Sequence, residues 1–119
     1  METKELGRFG EERAARYLRL RGYRILESNY ACRFGEIDLI ARRGRCIVFV
    51  EVKLRKSGDF AAAREFVTYA KQQRIRSTAA LWLSQHETEL HSRFDVIEIY
   101  APQGAKGRVT INHIENAFE

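Results

Sequence analysis

Apolar residues recur at helical spacing through the first twenty positions. Leu6, Phe9, Gly10, Ala14, Tyr17 and Leu18 share one face and Gly22 supplies a stop, so the pattern predicts a helix over 4–21. The period then shortens to two. Tyr23–Tyr30, Gly35–Arg42 and Arg45–Leu54 predict three successive strands, the last two joined by a tight turn at Arg43-Gly44. Ser57-Gly58-Asp59 marks Arg55–Ala63 as a loop, and helical spacing returns from Arg64 to Gln85. Arg93–Tyr100 predicts a fourth strand, Pro102-Gln103-Gly104 breaks it, and Arg108–Ile114 predicts a fifth. The order α-β-β-β-α-β-β describes an antiparallel meander followed by a helical crossover. A right-handed crossover returns the fourth strand parallel to the sheet. The expectation is an α/β fold, a mixed central sheet flanked by helices. The 119 residues suit one domain, 1–119.

Charge breaks the apolar pattern in one place. The stretch Gly35–Lys53 (GEIDLIARRGRCIVFVEVK) sets Asp38 in one strand and Glu51 and Lys53 in the next. Buried charges are costly unless paired or bound to a metal. Alternation puts Ile47, Phe49, Glu51 and Lys53 on one face of the third strand, and Glu36, Asp38 and Ile40 on one face of the second. Counting outward from Gly44 reaches Asp38 on one side and Glu51 on the other, so the hairpin can bring them together. Two converging carboxylates make a hard oxygen site suited to Mg²⁺ or Mn²⁺. An adjacent ammonium can position water and offset charge in a phosphoryl-transfer transition state. The bland alternative is a Glu51–Lys53 ion pair at a strand end.

The net charge of +5 suggests a polyanionic partner. Arg42, Arg43 and Arg45 crowd one turn, Arg55 and Lys56 follow the E-x-K pair, and Lys71, Arg74 and Arg76 ride one helix. These are candidate phosphate contacts wherever they lie near the acidic site, and solvated surface elsewhere. Cys32 and Cys46 match neither a disulfide framework nor a metal-ligand spacing, and His86, His91 and His113 match no zinc pattern. No apolar run reaches the length of a membrane span, and the amphipathic, acid-containing N-terminus is unlike a signal peptide. The expectation is a cytoplasmic protein.

Several of these residues form a wider pattern: Gly7, Gly10 and Glu11; Gly35–Ala41; Val48–Lys53 with Arg55; Lys71-Gln72; and Arg93–Val96. Together they resemble the YraN family of small bacterial proteins, across nearly the whole chain. The resemblance implies a compact member of the PD-(D/E)xK nuclease superfamily with a restriction-endonuclease-like αβββαβ core, similar to archaeal Holliday-junction resolvases. It implies that Asp38, Glu51 and Lys53 are the motif residues, with Ile37 where a proline often stands. It also implies that Glu11 completes the metal site, that Gln72 organises it, and that a homodimer forms.

Helical spacing favours Glu11 over Glu12, because Gly7, Glu11, Ala14 and Leu18 form one stripe at the margin of the apolar face. The alternative for Glu11 is a surface acid near a helix start. Gln72 shares a stripe with Ile75, Ala79 and Leu83, and a buried amide needs partners. The alternative is an amide at the edge of the packed face. Glu36 assists the site or ends the strand, Asp95 reads as structural, and Trp82 as core or interface. The leading expectation is a metal-dependent endonuclease on DNA, branched or single-stranded, with DNA favoured over RNA. The alternatives are a non-catalytic nucleic-acid-binding protein that keeps the fold, and an adaptor that uses the Trp82 helix.

Overall fold

The computed structural model describes residues 3–55, 67–86 and 89–119. Helix α1 (Thr3–Leu20) leads into strands β1 (Arg24–Cys32), β2 (Gly35–Arg43) and β3 (Cys46–Arg55). Helix α2 (Tyr69–His86) crosses to β4 (His91–Tyr100), and β5 (Thr110–Phe118) closes the chain. Among the described residues, five strands lie in sequence order in one sheet. Of these neighbours β3 and β4 run parallel, joined by α2, and the other pairs are antiparallel. The mixed sheet with its αβββαβ order is that of a restriction-endonuclease-like core. Among the described residues no helix is long and apolar enough to cross a membrane.

The β2–β3 turn differs slightly from expectation. Pairing runs to Arg43↔Cys46, so the corner residues are Gly44 and Arg45. Gly44 takes the first corner at φ +60°, a conformation that favours glycine and that a Gly-first hairpin turn requires. Helix α2 begins at Tyr69, and the non-helical Val67 and Thr68 correct the predicted start at Arg64. The Thr68 hydroxyl accepts the Lys71 N–H at 3.2 Å, an N-cap that stops the helix from extending backward. The expected loop residues 56–63 and helical residues 64–66 lie outside the described residues.

Strand β3 holds the two layers together by alternation. Val48 and Val50 pack with Leu39, Ala14 and Leu18 beneath α1. Ile47 and Phe49 pack with Ile40, Ile75, Ala79 and Trp82 beneath α2. Ile37, placed by strict alternation on the α1 face, instead joins the α2 cluster. Trp82 is only 3% exposed. It meets Phe49 edge-on at 6.0 Å and donates its indole N–H to Glu27 at 3.2 Å. It is therefore core.

Asp95 anchors the α1 side. It is fully buried and accepts two 2.8 Å hydrogen bonds from Arg93, one from the His113 ring at 2.7 Å, and one from the Asn116 N–H at 2.9 Å. Arg93 also reaches the Tyr23 hydroxyl, and His113 the Tyr17 hydroxyl. Asn116 turns into the left-handed region at φ 52° beside the β4–β5 irregularity, which brings its N–H to the carboxylate. Burial alone would raise the Asp95 pKa, but the His113, Arg93 and backbone bonds outweigh it and hold the carboxyl below its ordinary value. A depressed carboxyl stabilises the fold above its unfolded pKa and loses that contribution as pH falls through the folded value. Asp95→Ala strands Arg93 and His113, so urea unfolding at pH 7 should show a loss of about 3 kcal/mol. The gap between wild type and Asp95→Asn should shrink as the pH drops below the carboxylate range.

Candidate functional site

Asp38 sits where β2 and β3 stop pairing. Their ladder ends at Leu39↔Val50, and one further step in this register sets Asp38 across from Glu51. In place of the next ladder bond, the Val52 N–H donates to Asp38 Oδ2 at 2.8 Å. Glu51 and Lys53 follow Phe49 on the face toward α2. Gly35, at φ +153°, lets the start of β2 approach α2: a Cβ there would stand 3.3 Å from Thr78 Oγ1 and 3.4 Å from Arg74 Cβ. The result is a cleft of about 220 Å³ lined by Glu36, Asp38, Glu51, Lys71 and Arg74. Asp38 and Glu51 thus meet in the cleft, and Lys53, outside its lining, is near enough for its charge to interact with both.

Lys71 enters the site from the first turn of α2. Its Nζ lies 3.1 Å from Glu51 Oε2, and Glu51 is 5% exposed. Burial and the neighbouring Glu51 charge push the Asp38 carboxyl up, Glu11 adds to this, and the Val52 N–H and Lys71 only partly offset it, leaving the pKa at about 7. Burial, then the hydrogen bond and charge of Lys71, lower the Lys53 amine below its ordinary value despite Glu51 and Asp38. Lys71 moves the other way: burial alone would lower it, but its bonds to Lys53 and Glu51 win. Two carboxylates that repel each other and already attract an ammonium form a donor set that fits a hard divalent cation.

The remaining expected residues are placed less uniformly. Glu11 is half-buried and Glu12 exposed, as the helical stripe requires. Glu11 Oε2 accepts from the Asn29 side chain at 2.9 Å. Its charge reaches Asp38, yet among the described residues no three His, Cys, Asp or Glu side chains gather to hold a metal. Gln72 turns away from the acids. Its amide donates to the Val67 carbonyl at 2.9 Å and accepts from Arg76 at 3.4 Å, so it ties the helix start to the preceding chain. The Arg42, Arg43 and Arg45 cluster sits at the far end of the hairpin, about 17 Å from Asp38 at ~3.4 Å per residue. Arg42 closes the turn on the Gly44 carbonyl, and Arg43 stacks over Tyr23. Arg55 points inward, its Nε 3.1 Å from Glu98. Lys56 lies outside the described residues. Cys32 and Cys46 are free thiols.

Two residues escaped the sequence reading. Glu98 is fully buried, beside Lys53 in the parallel register Lys53↔Glu98. It is an acid inside an alternating apolar run (DVIEIY), the same signal that exposed Glu51. Asn29, across from Asp38 by the β1–β2 register, adopts φ 54° and so can aim its amide at Glu11. Asn tolerates that conformation better than most residues.

Comparison with known proteins points in one direction. The model of the uncharacterised protein family UPF0102 matches residues 10–99. A UPF0102 protein of Alkaliphilus oremlandii is 47% identical over 98% of this chain and 99% of its own length. One from Geobacter metallireducens is 46% identical, covering 100% of this chain and 96% of its own length. One from Nocardia farcinica is 42% identical over 98% and 91%.

The Asp38 carboxyl carries a pH signature. Its folded pKa is raised, so its contribution to stability is full below the unfolded pKa and is lost as pH rises through about 7. Asp38→Asn removes that repulsion. In a chelator at pH 8 the variant should unfold about 1–2 kcal/mol harder than wild type, and the gap should narrow toward pH 4.

Proposed function

This chain belongs to the uncharacterised protein family UPF0102, also known as YraN, and we propose that it is a metal-dependent endonuclease of the cytoplasm that hydrolyses phosphodiester bonds in branched or single-stranded DNA. The observation that carries the reading is the meeting of Asp38 and Glu51 at the end of the β2–β3 ladder, with Lys53 on the same face. Mg²⁺ or Mn²⁺ held by Asp38 and Glu51, with Glu11 at the margin, would supply Lewis acidity toward the phosphoryl oxygens. Lys53 Nζ positions the attacking water and offsets the growing negative charge, and the water's proton passes to solvent as the oxygen bonds to phosphorus. The P–O bond to the departing sugar breaks, and the leaving oxygen gains a proton from solvent. Lys71 and Arg74 line the cleft and face the incoming phosphate. Such contacts hold a backbone without reading its sequence.

Cleavage of branched, duplex and single-stranded DNA by wild type, Asp38→Ala and Lys53→Ala, with Mg²⁺ or Mn²⁺, tests the reading. Wild type should cut at least one substrate, and each variant should fall by about 100-fold or more. Negligible cleavage by all three would remove the nuclease reading. Salt-dependent DNA binding in that case would support a non-catalytic nucleic-acid-binding protein.

A further inference from the structure

Lys71 holds an unusual position for a surface-helix lysine. Its ammonium is 3.1 Å from Glu51, a carboxylate almost wholly withdrawn from water. The side chain still keeps 34% of its surface exposed. It springs from the first turn of α2, just after the Thr68 cap, on a long unbranched stem. Lys53 lies close by, but is fixed within the β3–β4 ladder. The acidic site therefore carries two lysines, one rooted in the sheet and one at the solvent edge.

A divalent cation and the Lys71 ammonium cannot share Glu51 without strong repulsion, because like charges a few ångströms apart in a half-buried cleft are poorly screened. The ammonium must leave, and Lys71 has the exit. Its neighbour on the rim, Arg74, is exposed and lines the same cleft. We propose that Lys71 is the resident counter-ion of the site: the divalent cation enters by exchanging with its ammonium on Glu51, and the displaced Lys71 joins Arg74 at the mouth to receive a substrate phosphate. The inference rests on the metal-binding reading above. It makes Lys71 a positioning residue that couples cation entry to capture of the anionic substrate.

Calorimetric titration of the whole chain with Mn²⁺ at pH 8, without nucleic acid, tests the exchange. Lys71→Met should bind Mn²⁺ about tenfold more tightly than wild type, and Lys71→Arg, which keeps the counter-ion, should match wild type. Damage to the fold would weaken binding, so the direction separates exchange from structural support. Mn²⁺ binding by Lys71→Met alone also supports the exchange. Equal or weaker binding by Lys71→Met overturns it and leaves the metal reading intact. No binding by any of the three removes the metal reading and this inference together. A second readout uses the wild-type chain alone: saturating Mg²⁺ should raise labelling of Lys71 by an amine-reactive ester severalfold, read by mass spectrometry. Unchanged labelling overturns the exchange.

Discussion

The hydrogen bond from the Val52 N–H to Asp38 Oδ2, 2.8 Å long, governs the rest of the site. A backbone donor inside a sheet must find an acceptor. Here the acceptor is a side chain, so the β2–β3 ladder ends at Leu39↔Val50 and the strands can part. The parting opens the cleft, and the bond holds Asp38 beside Glu51. Neither carboxylate would occupy this place for packing alone. Burial, and then the proximity of Glu51, pushes the Asp38 carboxyl up to about 7.

Around that bond the fold separates its charges by face. On the α1 side, Asp95 is surrounded by donors and is fully satisfied. Its carboxyl is held low, the signature of a structural acid. On the α2 side, Asp38 is held high and Glu51 leans on Lys71. Glu98 is wholly buried there, with Arg55 on one oxygen and its Oε1 unpartnered among the described residues. The two faces meet in β3, whose valines alternate with Ile47 and Phe49 and fix both layers.

The hairpin was the most legible part of the chain. A short turn and a period of two set the β2–β3 register, so Asp38, Glu51 and Lys53 could be placed on one face before any coordinates. Helical phase likewise separated Glu11 from Glu12. What the sequence could not reveal depends on how separate elements meet. Lys71 looked like one basic residue among several, because its reach to Glu51 depends on how α2 lies over the sheet. Gln72 shared the buried stripe, yet its amide was captured by the nearby Val67 carbonyl. The arginine cluster at the hairpin turn looked close to the acids along the chain, but strand length carries it to the opposite end. Asn29 owed its role to a left-handed backbone inside a strand, which no pattern announces.

The central claim is that Asp38 and Glu51 form one cation site created by the end of the β2–β3 ladder. Anomalous diffraction from crystals soaked in Mn²⁺ tests it most directly. The account predicts a strong manganese peak within coordinating distance of both carboxylates, with Lys71 turned away from Glu51. A peak on other residues alone, or none at this position while the cleft is open to solvent in the crystal, would contradict it.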